Sequence, residues 1–373
     1  MFLEDGFNLE ATWHGDAVNT SVGEIVFNTS HSGYEEMSTD PSYAGQILIN
    51  TAPMQGNYSL TTQRRQSDKI WIKAFVCLEI QNSKRDSSWL DHLLQNNISV
   101  ISEVDTRKLV LHLRESGVQW ACVFSESQYL KSKKSLADFA KDQIASNKIL
   151  NTVDYTKAVS CKEVYNFEHS FNKKESFFKP KDINKKKFNK VAVLDMGCKT
   201  NILNILKTLF KDVVVYPYNY NVEKILKNKP DMILISNGPG DPEQQKESIE
   251  IVKNFLNSNI PIFGICMGCQ ILALALGAKT YKLKFGHRGS NHPIEDFLQK
   301  KIYMSSQNHG YAIDEKSLPK DIELSHINLN DKSVAGIFSK EKKLLAVQFH
   351  PEHHPGPEDA EQLLPWFVDK FLS

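Results

Sequence analysis

Short apolar runs and the residues that separate them divide this chain into two unlike stretches. Up to about residue 150, Val22-Gly-Glu-Ile-Val-Phe-Asn28 and Gln46-Ile-Leu-Ile-Asn50 predict strands. Between them lies a segment rich in Ser, Thr, Gly, Asp and Pro that includes Thr39-Asp-Pro-Ser-Tyr43 and predicts turns. Helices come later: Asp105 and Thr106 can cap one that runs through Leu109, Leu113 and Arg114 to a stop at Gly117. Another is predicted over Ser135–Ile149. After Lys190 the pattern changes. Val191–Asp195, Val213–Tyr216, Met232–Ser236 and Ile262–Ile265 are short apolar strands, set between helical stretches such as Asn201–Phe210. The expected fold class is α/β: a mixed, β-rich N-terminal domain, then a domain with a mainly parallel sheet flanked by helices. In such a sheet the ligand crevice lies outside the carboxyl ends of the strands.

Between residues 151 and 190 the periodicity is lost. Residues 173–190 hold eight lysines against Glu175 and Asp182, with Pro180 among them. A basic nucleic-acid patch would want aromatic interleaving within a binding module, and here only Phe177, Phe178 and Phe188 are available. A solvated linker is the expectation, giving domains at 1–150 and 191–373 joined by 151–190. The 373 residues suffice for two cores. With 45 basic and 44 acidic residues the net charge is +1, so small molecules or proteins, rather than nucleic acid or membrane surfaces, are the expected partners. Six scattered cysteines, and no cationic and apolar leader before Asp5 and Gly6, fit a reducing cytoplasmic setting. No apolar run approaches the roughly 20 residues that span a bilayer.

The chemistry concentrates at Pro261-Ile-Phe-Gly-Ile-Cys-Met-Gly-Cys-Gln270. A strand over Ile262–Ile265 runs into residues of helical spacing, Ile271, Leu272, Ala275 and Leu276, so Cys266 occupies a sharp strand-to-helix turn. Gly264 and Gly268 leave room there, as in a nucleophile elbow, and the thiol is expected exposed at the tip. The helix start behind it offers N–H groups and a positive dipole end that favour a thiolate and can hold an oxyanion. Cys266 and Cys269 also spell C-x-x-C, a redox or zinc spacing. Zinc needs two further ligands at comparable spacing, and Cys77, Cys122, Cys161 and Cys198 are solitary, whereas a redox role stays open.

A cysteine nucleophile needs a base and a group to orient it. His350 and Glu352 follow the strand Leu344–Phe349, and in extended backbone residues two apart face the same side. An ordinary polar turn would read the same way. His353 and His354 add consecutive imidazoles with no assigned role.

Together these segments resemble the class I glutamine amidotransferases, whose elbow Gly-x-Cys-x-Gly-x-Gln is matched by Gly264 to Gln270 and whose His-Pro-Glu is matched by His350 to Glu352. Within that family the chain is most similar to the small, glutamine-hydrolysing subunits of carbamoyl phosphate synthetase, because the likeness extends to the first half. It rests there on Gly23-Glu-Ile-Val-Phe-Asn-Thr-Ser30, Thr39-Asp-Pro-Ser-Tyr43 and Asp105-Thr-Arg-Lys-Leu109. Later stretches add Ser236-Asn-Gly-Pro-Gly-Asp-Pro242, Lys284-Phe-Gly-His287 and Gln307-Asn-His-Gly310. The resemblance implies that Cys266 attacks the carboxamide of L-glutamine, His350 moves protons and Glu352 orients His350. It implies an oxyanion hole from the N–H of Met267 and the Gly238 to Gly240 loop, and glutamine contacts at Ser42, Gln270, Asn308, Gly310 and Tyr311. It further implies a large synthetase subunit as partner, docked on residues 1–150. No cofactor or metal is expected in this chain, since no Gly-x-x-x-x-Gly-Lys loop occurs, so ATP and Mg belong to the large subunit. The family often carries histidine where Cys269 stands, and Met267 and Tyr311 replace other apolar or aromatic residues. Rival readings are another class I amidotransferase, against which residues 1–150 argue, and a catalytically silent homologue, against which the intact Cys266, His350 and Glu352 argue.

Overall fold

The computed structural model describes residues 1–15, 20–58, 60, 64–81, 88–150, 154–168 and 188–373. The lysine-rich stretch read as linker lies outside them, apart from Phe188–Lys190. Two compact units are formed: Met1–Tyr155 with Lys284–Arg288, and Thr156–Leu283 with Gly289–Ser373.

Among the described residues, the main sheet of the first unit has seven strands: Phe2–Leu3 (β1), Thr12–His14 (β2), Ser21–Asn28 (β3), Gln46–Asn50 (β4), Ala74–Val76 (β5), Ser99–Ser102 (β6) and Gln119–Val123 (β7). Their order is β1-β7-β3-β4-β5-β6-β2. The β3-β4-β5-β6 core is parallel and the flanking pairs are antiparallel. Both faces of this sheet are covered, which is why β3 and β4 read as near-continuous apolar runs rather than alternating ones. Successive residues point to opposite faces: Ile25, Ile47 and Ala74 pack with Leu109 and Leu113, while Val26, Leu48 and Phe75 pack with Trp89. The helix Thr106–Ser116 is capped as its sequence predicts, with Asp105 Oδ1 accepting from Lys108 N at 2.8 Å and Gly117 at φ 91° ending it. Between β3 and β4 the structure departs from the expected turns. Tyr34–Thr39 is a helix with every residue buried. Six residues are too few for intrinsic helicity to decide. Tertiary anchors decide instead: Tyr34 and Met37 lie in the core, and buried Glu35 pairs with Arg65 at 3.1 Å.

Among the described residues the second unit holds ten strands: Tyr165–Asn166 (β8), Phe188–Asp195 (β9), Phe210–Pro217 (β10), Met232–Ile235 (β11), Ile262–Ile265 (β12), Thr280–Asp296 (β13), Lys301–Ile313 (β14), Glu323–Asn328 (β15), Val334–Ser339 (β16) and Leu344–Val347 (β17). The order is β8-β10-β9-β11-β12-β17-β16-β15-β13-β14. From β10 to β17 neighbours run parallel, with helices such as Thr200–Leu209 (α1) and Met267–Ala275 (α2) in the connections. β15, β16 and β17 then pair antiparallel; of these three the sequence pattern revealed only β17, read as Leu344–Phe349. Within the span expected as linker, Tyr155–Val159 is helical and β8 joins the sheet edge.

Register decides what the sheet presents. Leu194 lies beside Ile235, Ile235 beside Gly264, and Ile265 beside Val347. The carboxyl ends of β9, β11, β12 and β17 are therefore neighbours in that order. The segments that leave them, Met196–Lys199, Ser236–Asp241, Cys266 and Gln348–Pro355, come together at one edge of the sheet. Among the described residues, no helix is long and apolar enough to cross a membrane.

Candidate active site

Cys266 sits between the last residue of β12 and the first of α2 with φ 54° and ψ −104°, in a region that non-glycine residues rarely adopt. Contacts on both sides impose it. Cys266 N donates to Val347 O at 2.8 Å, and its own carbonyl accepts from Cys269 N at 3.0 Å. A Cβ on Gly268 would lie 2.1 Å from Ile235 O, and one on Gly264 would lie 2.9 Å from Gly268 O. Neither position admits a side chain, so the turn is wedged between backbones. The expectation that the thiol is exposed at the tip is corrected: Cys266 is 2% exposed, and its Sγ donates to Asn308 O at 3.5 Å. The thiol is covered by Asn308, a residue of β14.

His350 is anchored by its N–H, which donates to Ser306 O at 2.9 Å. Its Nδ1 lies 2.6 Å from Glu352 Oε1, with both side chains buried. The predicted route to this pairing, alternation along an extended strand, is not the one used. β17 ends at Val347, and His350–His353 form a turn in which His353 N donates to His350 O at 3.2 Å. Cys266 is close enough to interact with the imidazole but no closed thiol–imidazole hydrogen bond is made, and the buried Nε2 is left without a partner. Catalytic hydrogen bonds are often this loose before substrate binds. Burial disfavours the imidazolium, but the Glu352 carboxylate and the Cys266 sulfur outweigh it and hold the pKa up at about 10. Burial would likewise raise the Glu352 carboxyl, yet Lys199 and His350 hold it down at about 2. The site thus favours a charged imidazole against a charged carboxylate.

Lys199 was not singled out in the sequence. It is 2% exposed, its Nζ lies 3.0 Å from Glu352 Oε1, and it donates to His353 O at 2.5 Å. Its N–H donates to Asn237 Oδ1 at 3.1 Å, and Asp195 Oδ1 accepts from the N–H groups of Gly197 and Cys198. The loop is thereby shaped to bring a lysine into the interior, where a cation survives only if paired. Asn201, read in the sequence only as the start of a helical stretch, donates from Nδ2 to Glu352 O at 2.6 Å. The one available signal was position: both lie near the start of the helix that follows a predicted strand.

Of the residues that the resemblance pointed to, Gln270 is buried, with Nε2 donating to Tyr311 O at 2.8 Å and to Gln348 Oε1 at 3.1 Å. Asn308, Gly310 and Tyr311 lie along β14, Asn308 meeting Cys266. Met267 opens α2, where an N–H has no intrahelical acceptor. Gly238 is held so close that a Cβ would lie 2.1 Å from Met196 O, and Gly240 has φ 96° with open space around it. Ser42 belongs to the first unit, in the buried turn Pro41–Tyr43, its N–H donating to Asp40 Oδ1 at 2.9 Å. Cys269 is a free, fully buried thiol packed with Ile233, Leu272 and Ile337, while Cys266 belongs to the cluster with Val193, Leu234 and Phe263. Burial, then the neighbouring Cys266, pushes the Cys269 thiol well up. Among the described residues no three His, Cys, Asp or Glu side chains group as a metal site.

Known proteins agree along the whole chain. Residues 192–370 match the family described as glutamine amidotransferase class-I, and residues 1–123 match the CPSase domain of the carbamoyl-phosphate synthase small chain. The carbamoyl phosphate synthase small chain of Buchnera aphidicola (subsp. Acyrthosiphon pisum) is 40% identical over 100% of this chain and 96% of its own length. That of Clostridium acetobutylicum is 40% identical over 99% of each. A solved glutamine amidotransferase from Thermotoga maritima is 20% identical over 50% of this chain and 84% of its own, with a TM-score of 0.37. Matched from end to end by small chains and carrying both of their domains, the chain belongs to the carbamoyl phosphate synthase small chain family and is an enzyme of the class I glutamine amidotransferase kind.

Proposed function

We propose that this chain hydrolyses L-glutamine through Cys266, His350 and Glu352 and hands the ammonia to a large synthetase subunit, which makes carbamoyl phosphate from bicarbonate and ATP. The observation that carries the reading is the buried His350–Glu352 contact of 2.6 Å with His350 Nε2 unpartnered next to Cys266. The Cys266 thiolate attacks the carboxamide carbon, and the tetrahedral oxyanion takes N–H groups from Met267 and the Gly238–Gly240 loop. His350 protonates the departing ammonia, leaving a glutamyl thioester. The same imidazole then takes a proton from water, which attacks the thioester and releases glutamate. Glu352 keeps the imidazole oriented and its cation stabilised. Gln270, Asn308, Gly310 and Tyr311 hold the substrate. Residues 1–150 dock the large subunit, which carries ATP and Mg, and the pair works in the cytoplasm as a heterodimer.

The direct test replaces Cys266 with alanine. Glutamine-dependent carbamoyl phosphate formation is then lost, while synthesis from added ammonia by the two-chain complex persists. Appreciable glutaminase turnover in purified Cys266→Ala protein refutes the assignment.

A further inference from the structure

The loop after His350 is unusual in its backbone. His353 and His354 both have positive φ, at 50° and 55°, where a non-glycine residue persists only if its surroundings hold it. Two side chains from the start of α1 do the holding. Lys199 Nζ donates to His353 O, and Asn201 Nδ2 donates to Glu352 O at 2.6 Å and meets His354 Nδ1 at 2.7 Å. Orientation of the amide follows from its partners. A main-chain carbonyl only accepts, so the nitrogen of Asn201 must face it, and His354 Nδ1, on that same nitrogen, must be the acceptor. Both protons of the amide are then in use at the residue that holds the imidazole and at the second residue beyond it.

We infer that Asn201 is a positioning residue for glutamine hydrolysis: by fixing the main-chain carbonyl of Glu352 it holds the carboxylate against His350, a task distinct from the charge pairing that Lys199 performs. This rests on the Cys266–His350–Glu352 reading above. Lys199 sets the electrostatics of Glu352 through its carboxylate at 3.0 Å, but a carboxylate on an unanchored backbone can keep that ion pair and still swing away from Nδ1. A second anchor on the same residue removes that freedom. A misplacement of about 1 Å in a catalytic contact lowers rate about 100-fold. Loss of this anchor is therefore expected to act on turnover and on the imidazole, and little on glutamine affinity.

Asn201→Asp is the sharpest variant. It keeps the shape and puts a carboxylate in the first turn of a helix, where the dipole favours it, so folding should be retained. Yet it offers no donor and sets an oxygen against Glu352 O. Asn201→Ala and His354→Ala accompany it, all in the full-length chain. Glutaminase kcat and KM are measured, together with the pH dependence of Cys266 alkylation by iodoacetamide and the melting temperature. In both Asn201 variants kcat should fall about 10- to 100-fold with KM within about threefold. In Asn201→Ala the alkaline limb of alkylation should move to lower pH, because an imidazole with a looser carboxylate gives up its proton sooner, whereas the carboxylate added in Asn201→Asp works against that shift. His354→Ala keeps the bond to Glu352 O and should stay within about threefold of the parent. An unchanged kcat in folded Asn201→Asp and Asn201→Ala, with an unmoved alkaline limb in Asn201→Ala, overturns the inference. So does a loss matched by His354→Ala, which would make the histidine the target, or a loss that tracks melting temperature with the limb unmoved. If instead the parent's glutaminase survives Cys266→Ala, the underlying reading fails; a Cys266-dependent parent with indifferent Asn201 variants sinks only this one.

Discussion

The turn that carries Cys266 and the loop that carries His350 and Glu352 leave adjacent strands of one sheet, yet different forces fix them. Around Cys266 the fixing is steric: Gly264 and Gly268 are pressed against backbone, and a positive φ is held by main-chain bonds to Val347 and Cys269. Around Glu352 it is polar: a buried lysine, an asparagine amide and an imidazole converge on one residue. Steric placement tolerates almost no added volume but is indifferent to pH. Polar placement tolerates volume better but depends on which groups are charged. A nucleophile needs only to be aimed, whereas a base and its partner must be aimed and also kept in the right protonation state.

That contrast can be broken in four places. Gly268→Val is expected to do most damage, because its Cβ alone would lie 2.1 Å from Ile235 O and the elbow must move. A stability loss of about 3 kcal/mol and a glutaminase loss of about 100-fold or more are expected by denaturant melts and turnover assays. Full activity in a folded Gly268→Val protein would show that the wedge is not needed. Lys199→Met attacks the polar side. Without the ammonium, burial drives the Glu352 carboxyl up from about 2, so its ionised form, needed to hold the imidazolium, is lost at higher pH as the solution is acidified. Turnover at neutral pH should drop about 10- to 100-fold, and the acid limb of the pH–rate profile should move upward. An unshifted limb argues that Lys199 only fills space.

The third variant, His353→Asn, separates stability from catalysis. Burial, then the neighbouring His354 and Lys199, holds this imidazole down at about 3 against 6.5 when unfolded. The unfolded chain therefore binds the extra proton between those values, and native stability falls as pH drops through that window. His353→Asn should melt with a flatter acid dependence between about pH 6.5 and 3 while glutaminase stays within about threefold of the parent; an identical acid slope removes His353 from the account. Cys269→Ser should change least, about 1–2 kcal/mol of stability with activity kept, since its thiol is buried with Ile233 and Leu272, in another cluster from Cys266. Loss of turnover with Cys266 still alkylated would revive a two-thiol chemistry.

What was readable in the sequence follows the same division. A steric device leaves a local trace, because the glycines that make room must lie within a few residues of the nucleophile; Gly264, Cys266 and Gly268 could be read in place. The helix Thr106–Ser116 was readable for a similar reason, its cap and stop adjoining the apolar repeat. A polar device leaves none, since Lys199 meets Glu352 only after the register of β9, β11, β12 and β17 is set. The buried helix Tyr34–Thr39 was hidden in the same way, its polar letters reading as turn until Glu35 finds Arg65. In the antiparallel half of the second sheet, β13 and β15 escaped because polar residues occupy most of their length.

The position of β17 in the sheet has a consequence for synthesis on the ribosome. Cys266 lies in β12's exit turn, and the strand that bonds to β12 and accepts from the Cys266 N–H is Leu344–Val347. Translation delivers the nucleophile first and its supporting strand only much later, after the four strands β13 to β16 and their turns have emerged. Until then the β12 edge and its apolar face are open, and long-range pairing of this kind is slow and prone to association. A nascent chain stalled before Leu344 therefore carries a cysteine with no brace and a sheet with an uncovered middle, the state in which a chaperone is most useful.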